Sequence, residues 1–218
     1  MSTDTAANVF RSAATGVTIA GDTVFAAVWH NRNDGGGSRE ALLIALDRLS
    51  GRELWLVTLP VGASGGVSVS AAPLVFSDIV VFATTDGYVF GVNRTSQRVA
   101  WTFRSAQFVY TTQAQPASYE DAVYVDGGDE RLYALDVHTG AVLWSVPSVS
   151  AIRDLLATAR RIYIPSDNKL AIHDRADGRL VTTVTLPLNR ELMRTAPAAR
   201  GDQVFITRSS AAWSFREP

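Results

Sequence analysis

Three histidines, His30, His138 and His173, are the residues of this chain best suited to general-base or metal-ligand work, and they stand far apart. None shares the i, i+4 spacing that brings two imidazoles to one ion. Surface or turn positions are the expectation for all three. Asp126, Asp129 and Glu130, in Asp-Gly-Gly-Asp-Glu, could hold a hard cation weakly. The run lacks the loop length and terminal ligand of a helix–loop–helix calcium site, so a solvated acidic turn is the preferred reading. Asp34-Gly-Gly-Gly-Ser38 would cradle a phosphate only if a helix began after its glycines, and Ala41 to Asp47 reads as a strand. A flexible loop is expected there. Arg200-Gly201-Asp202 matches an adhesion tripeptide but stands in the same hairpin frame as Ala20-Gly21-Asp22, which makes it turn chemistry. Asn93-Arg94-Thr95 fits a glycosylation acceptor, again within a turn. The chain has no cysteine, and no serine has a nucleophile-elbow context. Catalytic, cofactor and metal residues are therefore expected to be none.

Composition narrows the class. Net charge is −1 over 218 residues, so no strong field draws nucleic acid, and none is expected as a partner. No apolar run approaches a membrane span, so no membrane insertion is expected. The start, Met-Ser-Thr-Asp-Thr-Ala-Ala-Asn, lacks the basic and apolar regions of a signal peptide. The expectation is a cytoplasmic protein if the chain is complete, with an extracytoplasmic location open if it is an excised domain.

The elements that must position any site follow from a repeat. Leu-Tyr-Ala-Leu-Asp-Val-His-Thr-Gly-Ala-Val-Leu-Trp, Leu132 to Trp144, reads as strand, tight turn and strand. Its anchors Asp136, Gly140 and Trp144 recur as Asp47, Gly51 and Trp55. A degraded copy has Asn93 and Trp101 with Gln97 in the glycine position; a weaker one has Asp174 and Gly178 with Thr182 in the tryptophan position. A spacing of about forty residues with four strands per unit describes a β-propeller blade. The expected fold is all-β: a single domain over 1–218, a closed five-bladed propeller of four-stranded antiparallel blades. The blades span about 16–59, 67–104, 112–146, 154–186 and 195–218. Val9 to Ala13 resembles Thr102 to Ala106, so residues 9–13 are read as the missing fourth strand that closes the last blade, after a frayed 1–8. Closure matters because open edge strands invite aggregation. Aligned second strands support the count: Val24-Phe25, Val80-Val81, Val123-Tyr124, Ile162-Tyr163 and Val204-Phe205.

The motif Ala-x-Asp-x-x-Thr-Gly-x-x-x-Trp, complete at Ala134 to Trp144, resembles the PQQ-like repeat of the quinoprotein-like superfamily. The resemblance covers nearly the whole chain. It implies that the tryptophan and the turn dock neighbouring blades, which makes Asp47, Gly51, Trp55, Asn93, Trp101, Asp136, Gly140, Trp144, Asp174 and Gly178 structural, with looser contacts where the motif decays. It includes quinoprotein alcohol dehydrogenases, a membrane-complex scaffold lipoprotein and kinase-attached sensor domains. The dehydrogenases use about eight blades and commonly a vicinal cysteine pair, and this chain is too short and has no cysteine. The expected function is a non-catalytic binding or scaffold module, a monomeric ring presenting a loop face to a protein or peptide partner. On that face the topology would place Arg11, His30, Asn31, Tyr110 and Arg131, with Arg153, Arg190, Arg194 and Arg208. Arginine suits carboxylate and phosphate, so a sensor of small anions or sugars with an arginine-lined funnel is the alternative. A quinoprotein oxidoreductase, or a fragment of a larger propeller, ranks below both.

Overall fold

Alternating β-branched and aromatic residues divided by Asp-Gly and Gly-Asp turns dictate strands, and strands are what the chain forms. The computed structural model describes residues 16–31, 39–59, 71–107, 115–148, 154–166, 169–185, 197–207 and 212–217. By packing it divides into two units, Met1–Thr102 and Phe103–Pro218.

The first unit holds two sheets. Strands β1 (Val17–Ala20), β2 (Thr23–Asn31), β3 (Arg39–Asp47) and β4 (Glu53–Thr58) pair in sequence order. So do β5 (Leu74–Val75), β6 (Ile79–Ala83), β7 (Tyr88–Asn93) and β8 (Arg98–Arg104), whose last residues run into the second unit. Every residue of β6 is buried, so both its faces are covered and the strand is apolar throughout. One cluster joins the two sheets: Phe25, Leu43 and Val57 pack with Val80, Phe82, Phe90 and Val92.

The second unit holds three sheets. β9 (Ala117–Tyr119), β10 (Ala122–Asp126), β11 (Arg131–Asp136) and β12 (Val142–Pro147) form the third. β13 (Leu156–Ala157), β14 (Arg161–Ser166), β15 (Lys169–Asp174) and β16 (Leu180–Thr185) form the fourth. The last has three described strands, β17 (Ala198–Arg200), β18 (Gln203–Thr207) and β19 (Ala212–Arg216). Tyr124, Leu132 and Ala134 pack with Ile162 and Ile164 between the third and fourth sheets. Tyr163, Leu170 and Ile172 pack with Val204 and Ile206 between the fourth and the last.

The described residues form five antiparallel sheets of three or four strands, in keeping with the all-β expectation. One expectation changes. His30 and Asn31, expected among the loops of that face, continue β2 by pairing with Glu40 and Arg39. The β-branched and aromatic run before them extends the ladder past the point where polarity rises. The strand expected at 9–13 lies outside the described residues.

A bulge precedes the motif position of the outer strand in three sheets. The register slips between Ala45 and Leu46, between Ala134 and Leu135, and between Ile172 and His173. An extra residue turns the side chain that follows it. In the first and third sheets that residue is Trp55 or Trp144.

Candidate functional site

The recurring turn is the first constellation to build. Asp136 ends β11, and its Oδ1 accepts from the amides of His138 (3.0 Å) and Thr139 (2.8 Å) and from the Thr139 hydroxyl (2.8 Å). Asp47 does the same with Leu49, Ser50 and the Ser50 hydroxyl. Asn93 accepts from the amides of Thr95 and Ser96, and Asp174 from that of Ala176. These are side-chain mimics of a backbone turn. The bonded hydroxyls of Ser50 and Thr139 are the main reason that Asp47 and Asp136 keep their pKa below the ordinary carboxylate value. The glycine position has φ of 69° at Gly51, 70° at Gly140 and 74° at Gly178, and Gln97 takes the same conformation at 56°.

In the second unit this turn receives a tryptophan. Trp144 Nε1 donates to the Arg175 carbonyl at 3.3 Å. Its ring lies so close to Gly178 that a Cβ there would stand 2.6 Å from ring carbons. The Arg175 guanidinium covers the Tyr119 ring at 4.6 Å, donates to the Ala159 carbonyl and faces the Glu120 carboxylate at 3.6 Å. In the first unit Arg94 holds the matching position, 5.1 Å from the Phe25 ring, and donates to the carbonyls of Phe76 and Ser77. Neither arginine was singled out from the sequence. The signal was there, because arginine follows the turn-opening Asx in Asp47-Arg48, Asn93-Arg94 and Asp174-Arg175. Trp101 folds back over Gly91 of its own sheet, within 2.1 Å of where a Cβ would be.

The second constellation is the loop end. Arg11, Tyr110, Arg153, Arg190, Arg194 and Arg208 lie outside the described residues, and His30 and Asn31 are placed there by backbone only. Arg131 begins β11 half-buried, and its Nη2 donates to the carbonyl and hydroxyl of Ser145 on the next strand. What the second unit gathers at this end is carboxylate. Asp129 Oδ2 accepts from the Tyr133 hydroxyl at 2.6 Å and from the Ser105 hydroxyl. Ser105 follows β8 and Asp129 stands between β10 and β11, so the loop entering the third sheet and the hairpin within it meet here. Asp126 is buried and its Oδ1 caps the Gly128 amide. Asp154 accepts from the Gln115 amide. Burial is the largest cause raising the Tyr133 pKa, and Asp129 adds to it. In the first unit the matching hairpin carries buried Thr84, Thr85 and Asp86, with Thr84 donating to Asp86 at 2.5 Å.

The histidines are separate. His138 is 3.4 Å from Asp121 on the surface, and His173 is buried with Nδ1 2.8 Å from the Gly178 carbonyl. Among the described residues no group of three or more His, Cys, Asp and Glu could hold a metal ion. Glu217, which the sequence reading passed over, joins the fourth and last sheets. It accepts from the Thr158 hydroxyl and lies beside the buried Tyr163, whose hydroxyl pKa is raised first by burial and then by that carboxylate.

Four-stranded antiparallel sheets linked by these Asx–Gly–Trp turns are the blades of a β-propeller. The family model described as outer membrane protein assembly factor BamB matches residues 39–216, and the chain belongs to that family. The crystal structure of BamB from Moraxella catarrhalis superposes with a TM-score of 0.70 at 14% identity, over 94% of this chain and 58% of that one. The Neurospora crassa Pan2 WD40 domain gives 0.63 at 12% identity, over 94% and 60%. A europium-containing methanol dehydrogenase gives 0.59 at 16% identity, over 78% and 41%. The chain thus spans less than two thirds of the length of these three proteins. No match was found among curated proteins.

Proposed function

We propose that the chain is a non-catalytic propeller module that holds a protein or peptide partner at its loop end. The observation that carries this reading is where the reactive side chains go. Asp136, Thr139, Trp144 and Arg175 are engaged in building a turn and a joint. The histidines stand apart, each with its own local partner where its side chain is described. Membership in a family described as an assembly factor supports the same reading. Loops at the ends of packed sheets suit recognition, although the fold by itself hosts many functions. The described part of that end carries Asp129, Glu130 and Asp154, and Arg131 is occupied by Ser145. This favours a partner that brings basic or hydrogen-bond-donating groups over a small anion.

The test is a quantitative pull-down from the source cells, repeated with a variant carrying Tyr110→Ala, Arg153→Ala and Arg194→Ala and with a second carrying Asp129→Asn and Glu130→Gln. At least one protein should be recovered by the wild type and lost with one of the variants. If every recovered protein binds all three forms equally, loop-end binding is wrong. Addition of PQQ with calcium should give no bound chromophore and no dye reduction; either signal would favour the quinoprotein reading.

A further inference from the structure

We propose that His173 makes the joint between the third and fourth sheets pH-sensitive: closed while the imidazole is neutral, opening when it takes up a proton. His173 lies in β15 with 4% of its surface exposed. A carbonyl can only accept, so Nδ1 carries the hydrogen in its 2.8 Å bond to Gly178. The neutral ring therefore leaves Nε2 to take the incoming proton, and Nε2 makes no hydrogen bond among the described residues.

Gly178 is also the floor of the joint. The Trp144 ring rests on it, and Trp144 Nε1 is bonded to the Arg175 carbonyl in the same turn. One residue thus ties the buried imidazole to the surface that receives the tryptophan.

Charge around the ring gives an imidazolium no partner. Across the ladder His173 faces Ile162 on β14 and Leu180 on β16. The charged residues of these elements and of the turn are already paired: Arg161 with Asp174 at 2.9 Å, Arg175 with Glu120 and Arg179 with Asp177. Lys169, at the far end of β15, adds a like charge. Neither β12 nor β16 carries a charged residue. A buried cation without a counter-charge is costly, and the cheapest relief is for the turn to swing out and hydrate the ring. That movement withdraws Gly178 and the Arg175 carbonyl from Trp144 together.

The sign follows from linkage. Burial lowers the His173 pKa below its ordinary 6.5 in the closed joint, while the hydrated ring of the open joint keeps the ordinary value. The open state therefore binds the proton first. Closure is complete above about pH 6.5 and weakens as pH falls toward the lowered value.

Hydrogen exchange of the intact chain between about pH 7.5 and pH 5 tests this. The amides of Asp174 and Gly178, bonded to the carbonyls of Arg179 and Asp174, report the turn directly. Their protection, corrected for intrinsic exchange, should fall as pH drops below 6.5, by at most about tenfold per pH unit, and level off at the lowered pKa. The equivalent amides of Asp47 and Gly51 should not change. His173→Asn keeps a donor where Nδ1 stands but cannot titrate, and it should abolish the pH dependence. His138→Gln should leave it intact. The proposal is overturned if the Gly178 and Gly51 amides respond alike, or if folded His173→Asn keeps the wild-type profile. Should His173→Asn fail to fold, the wild-type contrast between the two turns decides the matter alone.

Discussion

The joint between the first and second sheets and the joint between the third and fourth are two versions of one design. Each sets a tryptophan of the outer strand against a ring of its own second strand, Trp55 on Phe25 at 5.8 Å and Trp144 on Tyr124 at 5.9 Å. Each brings an arginine from the next sheet onto an aromatic ring. They part first at the residue of positive φ in the turn. Where the second unit has Gly178 the first has Gln97, held at φ 56°. A Cβ at 178 would stand 2.6 Å from the Trp144 ring, and Gln97 carries that Cβ. Accordingly Trp144 bonds the carbonyl of the next sheet's turn, while Trp55 makes no such bond to Arg94. In the first unit Arg94 covers the same Phe25 ring that Trp55 packs against; in the second Arg175 takes Tyr119, a different ring. At Gly178 the missing side chain leaves room for Trp144 to dock by contact and bond, while Trp55 docks by contact alone.

Truncating the tryptophans breaks the comparison most severely. Trp144→Ala should cost about 3 kcal/mol in urea unfolding, the low end for aromatic truncations because the ring is half-buried. Trp55→Ala should cost about 1 kcal/mol less, the difference being the indole hydrogen bond.

Glycine substitutions come next. Gly178→Ala meets a left-handed φ and the Trp144 ring together, and should cost about 2–4 kcal/mol. Gly51→Ala has the same φ with nothing within 4 Å, and should cost about 1 kcal/mol. Equal costs at the two sites would show that backbone strain, and not the tryptophan, sets the requirement for glycine.

Gln97→Gly sharpens the contrast from the other side. It relieves the left-handed strain but loosens the unfolded chain, so stability should change by less than about 1 kcal/mol. Its informative readout is the Trp55 indole N–H resonance, which should move to a hydrogen-bonded position as the ring gains room to approach the turn.

The smallest effect concerns the turn carboxylates. The folded pKa of Asp136 lies below its ordinary 3.8, so its contribution is present above that value and is lost as pH falls through the lowered one. Asp136→Asn should flatten that part of the acid stability profile, measured by thermal unfolding at a series of pH values. Thr139→Val should flatten it too, because the Thr139 hydroxyl is the main cause of the shift.

Much of the frame was legible because its signals are local. An Asx that caps amides two and three residues ahead, a residue with positive φ and a bulge before a tryptophan are set within one hairpin. Strand periodicity gave five sheets in their observed places, and it failed at His30 and Asn31, where a polar pair still completes a ladder. Most of the arginines expected at the loop end lie outside the described residues, and what its described part adds are partnerships between side chains far apart in sequence. Ser105 and Asp129 are such a pair, as are Gln115 and Asp154.

Residue type and spacing by themselves determined the repeat, the turn chemistry and the strand order, since each depends on backbone preferences acting over a few residues. Which ring an arginine covers, whether a tryptophan finds a carbonyl and that Glu217 reaches Thr158 were decided by how separate sheets pack. Those contacts depend on a fit within a few ångströms between residues tens of positions apart, and local propensity carries no information at that range.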